Sequence, residues 1–136
     1  MSQMNQGWGA AAAWTHAEGR LTRGGGKNQA IAAGASYTTD LLVGGEDTLS
    51  VNVDMTGTAA TDLTVVVQPY EADGVTLMPI ALAPVRATGP TLSGGRIYYT
   101  AEYDVVPYAK VRAIITNSNA AAQTINSAGW SFGQVG

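Results

Sequence analysis

The feature that most restricts the fold is a strict alternation of apolar and polar residues along several short segments. In residues 49–56, leucine, valine and methionine alternate with serine, asparagine, aspartate and threonine. Because successive side chains of a β-strand point to opposite faces, this pattern predicts a strand with one buried and one solvated face. The positions predicted to fill the core in three such segments are Leu49, Val51, Val53, Leu63, Val65, Val67, Val111, Ala113 and Ile115.

Breaks rich in glycine, aspartate and asparagine separate the alternating segments. Asp73-Gly74 is the strongest hairpin signal, because the tight turn needs a positive φ at its glycine. Weaker strands are expected at 30–43, 75–80, 82–88, 123–127 and 130–135. Short strands at intervals of about 8–12 residues predict an all-β, two-sheet antiparallel sandwich, and eight or nine strands fit a jelly roll.

Two further details concern the predicted strands. Residues 79–90 contain three prolines, which lack the N–H that a sheet ladder needs, so we expect an irregular excursion at the rim of the sandwich. Val66 and Ile114 are apolar at positions predicted to face outward. Their two strands are therefore expected to be covered on both faces, one of them by a neighbouring subunit.

The first 28 residues differ from the rest and are predicted to form an extended arm or linker before a β-sandwich domain at 29–136. Residues 1–13 carry no charged side chain, and residues 24–26 are three consecutive glycines, a run that regular structure tolerates poorly. Trp8 and Trp14 are the large rings of this arm. Either they anchor it in a neighbouring subunit, which we expect, or they pack on the chain's own sandwich.

The sequence offers few groups for catalysis. It contains no cysteine and one histidine, His16, which excludes a disulfide scaffold, a thiolate metal site and a cysteine nucleophile. His16 lies in the predicted arm, where catalytic geometry is not held. We therefore expect no enzyme, no catalytic residue and no cofactor. A net charge of −3 argues against binding to nucleic acid. No apolar run reaches the ~20 residues that a membrane-spanning helix needs.

Two pairs of carboxylates in predicted turns are candidates for a metal or acid–base site. Glu46 lies beside Asp47, and Glu71 lies two residues before Asp73. Carboxylates in glycine-rich turns are usually solvated, and the regular ligand spacing of a calcium loop is absent. No metal site is predicted.

Tyrosines cluster on one predicted strand, at 98, 99 and 103. Tyr99 and Tyr103 share one side of that strand and Tyr98 takes the other. Core packing is expected for Tyr99 and Tyr103. For Tyr98 two alternatives stay open, a subunit contact at the surface or an exposed platform for a sugar ring.

The chain resembles small virion proteins of tailed bacteriophages. The resemblance rests on the uncharged arm, the absence of cysteine, the β domain rich in small residues and the sequence of residues 110–125, KVRAIITNSNAAAQTI. The chain is most similar to capsid decoration, or cement, proteins. The resemblance implies a non-enzymatic structural protein on the capsid exterior, made in the host cytoplasm, that bridges major capsid subunits. It also implies a homo-oligomer, with a trimer favoured.

Two alternatives to capsid decoration are a tail, neck or fibre-associated subunit and a carbohydrate-binding β-sandwich module. No nucleic acid or membrane partner is expected. The residues predicted to lie at interfaces follow from their aromatic character and not from the resemblance. They are Trp8, Trp14, Tyr98, Tyr108 and Trp130.

Overall fold

The computed structural model describes residues 23–133 except residues 44 and 46, and apart from one short 3-10 turn the regular secondary structure of this part of the chain is β-strand. The strands are β1 (Arg23–Ile31), β2 (Ser36–Leu42), β3 (Thr48–Thr56), β4 (Leu63–Pro69), β5 (Arg86–Ser93), β6 (Arg96–Asp104), β7 (Lys110–Asn117) and β8 (Gln123–Gly133). A short 3-10 turn, Ala60–Asp62, precedes β4. A search of these residues found no helix with the length and apolar character needed to cross a membrane.

The strands form two antiparallel sheets that share one core. One has the order β1-β8-β3-β6-β5 and the other has the order β2-β7-β4. The first strand therefore pairs with the last, the second with the seventh and the third with the sixth, as in a jelly roll. Strand β5 departs from that arrangement, because it pairs with β6 instead of lying beside β4. The predicted all-β sandwich is confirmed.

The core consists of the alternating apolar positions of both sheets. All of the predicted core residues are buried except Val65, which is half-buried against the same cluster. Tyr99 and Tyr103 are buried as expected, and their hydroxyl oxygens are 2.9 Å apart in a hydrogen bond. Burial, followed by the hydrogen bond to Tyr99, raises the pKa of Tyr103 well above its usual range, so the Tyr103 hydroxyl stays neutral in the core.

The structure differs from the sequence prediction at the triple glycine. Residues 24–26 lie within β1, where they pair with Trp130, Gly129 and Ala128 of β8. The local cost of ordering glycine is offset here by a ladder to a strand about a hundred residues away, which the local sequence does not reveal. β1 thus includes residues 23–28 of the predicted arm, and residues 1–22 lie outside the described residues.

The connection from β4 to β5 also differs from the prediction. Asp73-Gly74 forms a turn with Gly74 at φ +70°, but only one isolated bridge, Tyr70 to Leu77, flanks it in place of a strand at 75–80. The chain then follows the edge of β4, where the backbone N–H of Leu82 donates to the carbonyl of Val67 at 2.8 Å. It crosses to the other sheet before Arg86, so irregular structure covers only the first part of residues 79–90.

Other strand boundaries shift for local reasons. The predicted strand 30–43 is interrupted by a turn at 32–35 with Gly34 at φ +73°. The two predicted C-terminal strands are one, β8, which shifts register against β3 between Asp54 and Met55. Val66 and Ile114 pair with each other on the outer face of the three-stranded sheet and are half-buried there within one chain.

Strand β5 forms one edge of the five-stranded sheet, and all eight of its residues are exposed. Its register against β6 shifts between Thr88 and Thr91. Gly89, at φ +91°, lies in this bulge, where a β-carbon would collide with the carbonyl oxygen of Tyr98. Only glycine allows β5 to approach β6 this closely.

Candidate binding surface

The outer face of the five-stranded sheet is a broad polar surface, called here the outer polar face. It is formed by the residues of β3, β5 and β6 that alternate with the core positions. They are Ser50, Asn52, Asp54, Arg86, Thr88, Thr91, Tyr98, Thr100 and Glu102. Side chains that pair across the strands form rows perpendicular to the strand direction. The face thus offers hydroxyl, amide and carboxylate groups side by side.

Tyr98 is the aromatic ring of this face and is 43 % exposed. It lies between Asp54 on β3 and Thr91 on β5. One oxygen of Asp54 accepts a hydrogen bond from Asn126 at 3.2 Å and lies 3.4 Å from Nε of Arg96. Asp54 is therefore held in place beside the ring from two sides.

The next two rows continue the polar surface along β6. Thr100 donates a hydrogen bond to the side-chain oxygen of Asn52 at 2.9 Å. Arg86 and Glu102 form a loose ion pair at 4.0 Å, in which the Arg86 side chain is 76 % exposed and the Glu102 side chain 38 % exposed. Such an exposed pair contributes little to stability, so its groups can exchange partners with a ligand at little cost.

An open cleft of about 380 Å³ lies beyond Glu102, where β6 ends. It is lined by Asp47, Thr48, Val85, Arg86, Glu102, Tyr103, Asp104 and Val106. This end of the sandwich holds the β2–β3, β4–β5 and β6–β7 connections and is called here the open end. The cleft combines three carboxylates with one guanidinium and two exposed valines.

The opposite end, called here the tied end, holds the β1–β2, β3–β4 and β7–β8 loops. Asn117 is fully buried there, and its amide nitrogen donates to the carbonyls of Ile31, Ala32 and Ala121 at 3.1–3.2 Å. One side chain of β7 thus holds the loop that follows β1 to the loop that precedes β8.

Asp62 makes the matching connection to the β3–β4 loop. Its carboxylate accepts hydrogen bonds from Asn119 Nδ2 at 2.7 Å and from the backbone N–H groups of Thr58 and Ala59 at 2.8 and 3.1 Å. The bond from Asn119, followed by the bond from the Thr58 amide, lowers the pKa of Asp62 from its usual value. This carboxylate is occupied by structural bonds and is not a candidate for catalysis.

A second polar cluster lies on the three-stranded sheet. The hydroxyl of Tyr70 donates to Asp40 at 2.7 Å, and the ammonium of Lys110 lies 4.5 Å from the centre of the Tyr70 ring. Burial, together with the bond to Asp40, raises the pKa of Tyr70 above its usual value. The cluster joins β2, β4 and β7 and satisfies its own charges, which suits a structural role.

The predicted aromatic interface residues fall in different places. Tyr98 is exposed on the outer polar face, whereas Tyr108 is half-buried and packs against the core. Trp130 is 3 % exposed and belongs to the core, since β8 turns this position inward; this differs from the interface role expected for it. Trp8 and Trp14 lie outside the described residues, as does His16.

The turn carboxylates are also separated. Asp73 accepts hydrogen bonds from the backbone N–H groups of Thr76 and Val75 at 2.9 and 2.8 Å, and these bonds lower its pKa. Glu46 is outside the described residues. Among residues 23–133, apart from 44 and 46, no three histidine, aspartate or glutamate side chains group closely enough to hold a metal ion.

Sequence reasoning missed the cleft and the tied end. The signal for the tied end is Asn117-Ser118-Asn119, one of the asparagine-rich breaks between the alternating segments. Its partners Ile31 and Asp62 are far away in sequence, so the turn could not reveal them. The cleft depends on β5 joining β6, which brings Val85 to Val106, and no local pattern predicts that crossing.

The fold defines a jelly-roll-like β-sandwich with a polar sheet face and an end cleft. Several solved structures are similar to it, and two of them are described here. No family model and no curated protein matches the chain. A family GH115 4-O-methyl-alpha-glucuronidase with specificity for decorated arabinogalactans is 12 % identical over 94 % of this chain, with a TM-score of 0.44. The chain spans about a fifth, 19 %, of that enzyme.

The second solved structure is a xylan-binding module, CBM15. It is 14 % identical, with a TM-score of 0.44, and the match covers 80 % of this chain and 78 % of the module. Similarity at this level carries no argument about ligands. The resemblance to phage virion proteins stays a prediction.

Proposed function

We propose that this protein binds a glycan on its outer polar face, with Tyr98 as the platform on which a sugar ring stacks. The observation that carries the proposal is the exposed ring of Tyr98 between Asp54 and Thr91. A pyranose presents C–H groups on one face and hydroxyls at its edges. An aromatic ring surrounded by carboxylate and hydroxyl groups matches both features.

The arrangement along β6 extends the proposed site. From Tyr98 to Glu102, every second residue faces outward, and each lies beside a polar residue of β3 and of β5. At ~3.3 Å per residue, the strip from Tyr98 to Asp104 is about 20 Å long, which suits several linked sugars better than one. The small charged fraction of the protein, 12 %, favours a neutral ligand.

The proposal is binding without catalysis. In this view Asp54 and Glu102 serve as hydrogen-bond acceptors for sugar hydroxyls, and the Thr88 and Thr100 hydroxyls serve as donors or acceptors. Jelly rolls occur both in lectin domains and in viral capsid proteins, so the strand order alone does not decide between the two expectations. The virion role therefore stays a separate prediction, tested by sedimentation of the protein with phage shells.

Affinity electrophoresis in gels that contain neutral polysaccharides of different linkage, followed by calorimetry on any that retard the protein, tests the proposal. Replacing Tyr98→Ala should weaken binding by about 5-fold to about 150-fold, because an aromatic anchor contributes ~1–3 kcal/mol of binding energy. Tyr98→Phe should keep most of the affinity, since the ring remains.

The control is Thr38→Ala, an exposed position on the outer face of the three-stranded sheet. It should bind as the unchanged protein does. Absence of retardation in every polysaccharide would overturn the proposal. Equal affinity of the Tyr98→Ala variant would remove the outer polar face as the site.

A further inference from the structure

The two sheets of the sandwich have four edge strands, and three of these edges are interrupted or covered. β5 carries the bulge and Pro90. The edge of β4 is covered by the connection to β5, where the N–H of Leu82 donates to the carbonyl of Val67. β1 contains the three glycines, and Asn28 has a φ of +55°, which interrupts the extended backbone. Another strand adds best to a straight, uncovered edge, so these three edges are poor templates.

β2 is the fourth edge strand and has none of these interruptions. Its 7 residues pair with β7 in one unbroken register, and they include no glycine, proline or lysine. After the turn at 32–35, β1 and β2 belong to different sheets. Among the described residues, no strand pairs with the second edge of β2. This edge is therefore a template for a further strand.

Two backbone hydrogen bonds at the ends of β2 show which of its groups are unpaired. The N–H of Val43 donates to the carbonyl of Ala109 at 2.8 Å, and the N–H of Asn117 donates to the carbonyl of Ala35 at 2.9 Å. In an antiparallel ladder the residues that bond to the neighbouring strand alternate with residues that do not, so the odd-numbered residues of β2 bond to β7. The backbone N–H and C=O groups of the even-numbered residues point away from the sheet. These residues are Ser36, Thr38, Asp40 and Leu42.

We infer that the free edge of β2 pairs with β2 of a second copy and forms a symmetric dimer. Antiparallel pairing centred on Thr39 places Ser36 opposite Leu42 of the second copy and Thr38 opposite its Asp40. Each of these pairs joins two residues whose backbone groups point outward. With two hydrogen bonds for each pair, the whole strand forms about eight. A contact across a two-fold axis must be complementary to itself, and this pairing meets that requirement.

The side chains of β2 are compatible with the same pairing. Asp40 lies directly opposite a threonine and not opposite a second carboxylate, which would be unfavourable. Its charge is also compensated within its own chain, by the hydroxyl of Tyr70 at 2.7 Å and the ammonium of Lys110 at 3.7 Å. Leu42 is 58 % exposed, and the added strand covers part of it.

The area of this contact sets the strength of the dimer. One strand from each copy buries less than the ~1,200 Å² at which stable interfaces begin, so we expect a transient dimer with a Kd of about 0.1 mM. The other edges are interrupted or covered, so pairing through β2 closes after two copies and does not continue into a fibre.

The dimer has a consequence for the outer polar face. The two-fold axis of an antiparallel strand pair is perpendicular to the sheet. The two three-stranded sheets therefore join edge to edge, and both five-stranded sheets lie on the same side of them. Both outer polar faces then point in the same direction, and one long polysaccharide can bind to the two together. This consequence rests on the proposed function, whereas the strand pairing does not.

Sedimentation equilibrium of the full chain without glycan, from about 10 µM to about 1 mM, tests the pairing around the expected Kd. The unchanged protein should pass from monomer to dimer over this range. Thr38→Pro should raise the Kd at least about tenfold, because each copy loses a donor that points outward while the ladder to β7 keeps its bonds. Thr38→Val keeps the N–H and is the matched control, which should dimerise as the unchanged protein does. Circular dichroism checks that both variants fold.

Amide hydrogen exchange followed by NMR gives a second test that needs no substitution. In dilute protein, the N–H groups of the even-numbered residues of β2 should exchange fast and those of the odd-numbered residues slowly. Raising the protein concentration should slow exchange of the even-numbered set several-fold. The odd-numbered set serves as the internal control, because its bonds to β7 are present in both states.

Three results would overturn the inference. The first is a protein that stays monomeric at the highest concentration. The second is an unchanged Kd for a folded Thr38→Pro variant. The third is protection of the even-numbered amides that does not depend on concentration, which would mean that a segment of the same chain occupies the edge. Glycan binding to the monomer can persist in each case, so failure of the dimer is distinguishable from failure of the proposed function.

Discussion

The tied end and the open end of the sandwich hold their loops in place by different contacts. At the tied end, Asn117 and Asp62 join loops from three parts of the chain through side-chain hydrogen bonds. At the open end, backbone bonds such as that from the N–H of Val43 to the carbonyl of Ala109 hold the loops together with the Tyr70, Asp40 and Lys110 cluster, and large apolar side chains face solvent. The tied end fixes the fold, and the open end is left available for contacts.

This difference has a physical basis in the cost of unpaired polar groups. Buried loop carbonyls must find a donor, and Asn117 supplies one amide group to three of them. Exposed valines impose no such requirement and lose little when replaced. Substitutions at the tied end should therefore destabilise the fold more than substitutions at the open end. Substitutions at the open end should have the larger effect on binding.

The largest expected effect is on stability, at Asn117. Asn117→Ala should lower the free energy of unfolding by about 3 kcal/mol, because buried carbonyls lose their donor and a small cavity is left. Urea denaturation followed by circular dichroism measures this. Asn126→Ala, a half-buried asparagine on β8, is the comparison and should cost less than half as much; equal losses would mean that the tied end is not special.

The next effect concerns acid, at Asp62. Its pKa in the folded protein lies below the usual 3.8, so the unfolded chain binds more protons as the pH falls. The stabilisation from Asp62 is complete above the unfolded pKa and is lost as the pH falls through the lower, folded value. Stability should therefore decrease as the pH falls from about 5 through 3.8 and below, and Asp62→Asn should flatten that decrease.

Asp73 is the matched carboxylate on the other side of the comparison. Its pKa is also lowered, by amides within its own turn, but it joins no separate loops. Asp73→Asn should remove its own share of the acid dependence while keeping stability at neutral pH close to that of the unchanged protein. Thermal melts of both variants across the pH range measure the two effects. A larger loss at neutral pH for Asp73→Asn would reverse the assigned roles of the ends.

The smallest effect is expected at the open end itself. Val85→Ser should change the free energy of unfolding by no more than about 0.5 kcal/mol, because this side chain is already 70 % in solvent. Denaturation in urea beside the Asn117→Ala variant provides the measurement. A loss of several kcal/mol would show that the open end supports the fold after all.

The parts of this structure that could be predicted from the sequence are those with a local signal. Alternation identified the inward positions of β3, β6 and β7, since burial on one face leaves a period of two in the chain. The triple glycine was misread because its stability in β1 comes from β8. Asn117 was equally out of reach, as it donates to Ile31, 86 residues earlier in the chain.

The two candidate surfaces, the outer polar face and the cleft, also differ in how far the sequence predicts them. Tyr98 could be placed on the outer face from the alternation of its own strand, so its exposure could be predicted. The cleft could not, because Val85 meets Val106 only when β5 leaves the edge of β4 and joins β6. Which distant strands pair with each other depends on the packing of the whole core. The sequence of a short segment therefore does not predict it.

The bulge in β5 affects how readily copies of this protein associate with one another through their edge strands. A straight, exposed edge strand offers a continuous row of donors and acceptors on which another chain can grow a fibril. In β5 the register shift between Thr88 and Thr91 bends that row, and Pro90 removes one of its donors. An edge interrupted in this way resists self-templated aggregation, which favours solubility in a protein with so little charge to keep its copies apart.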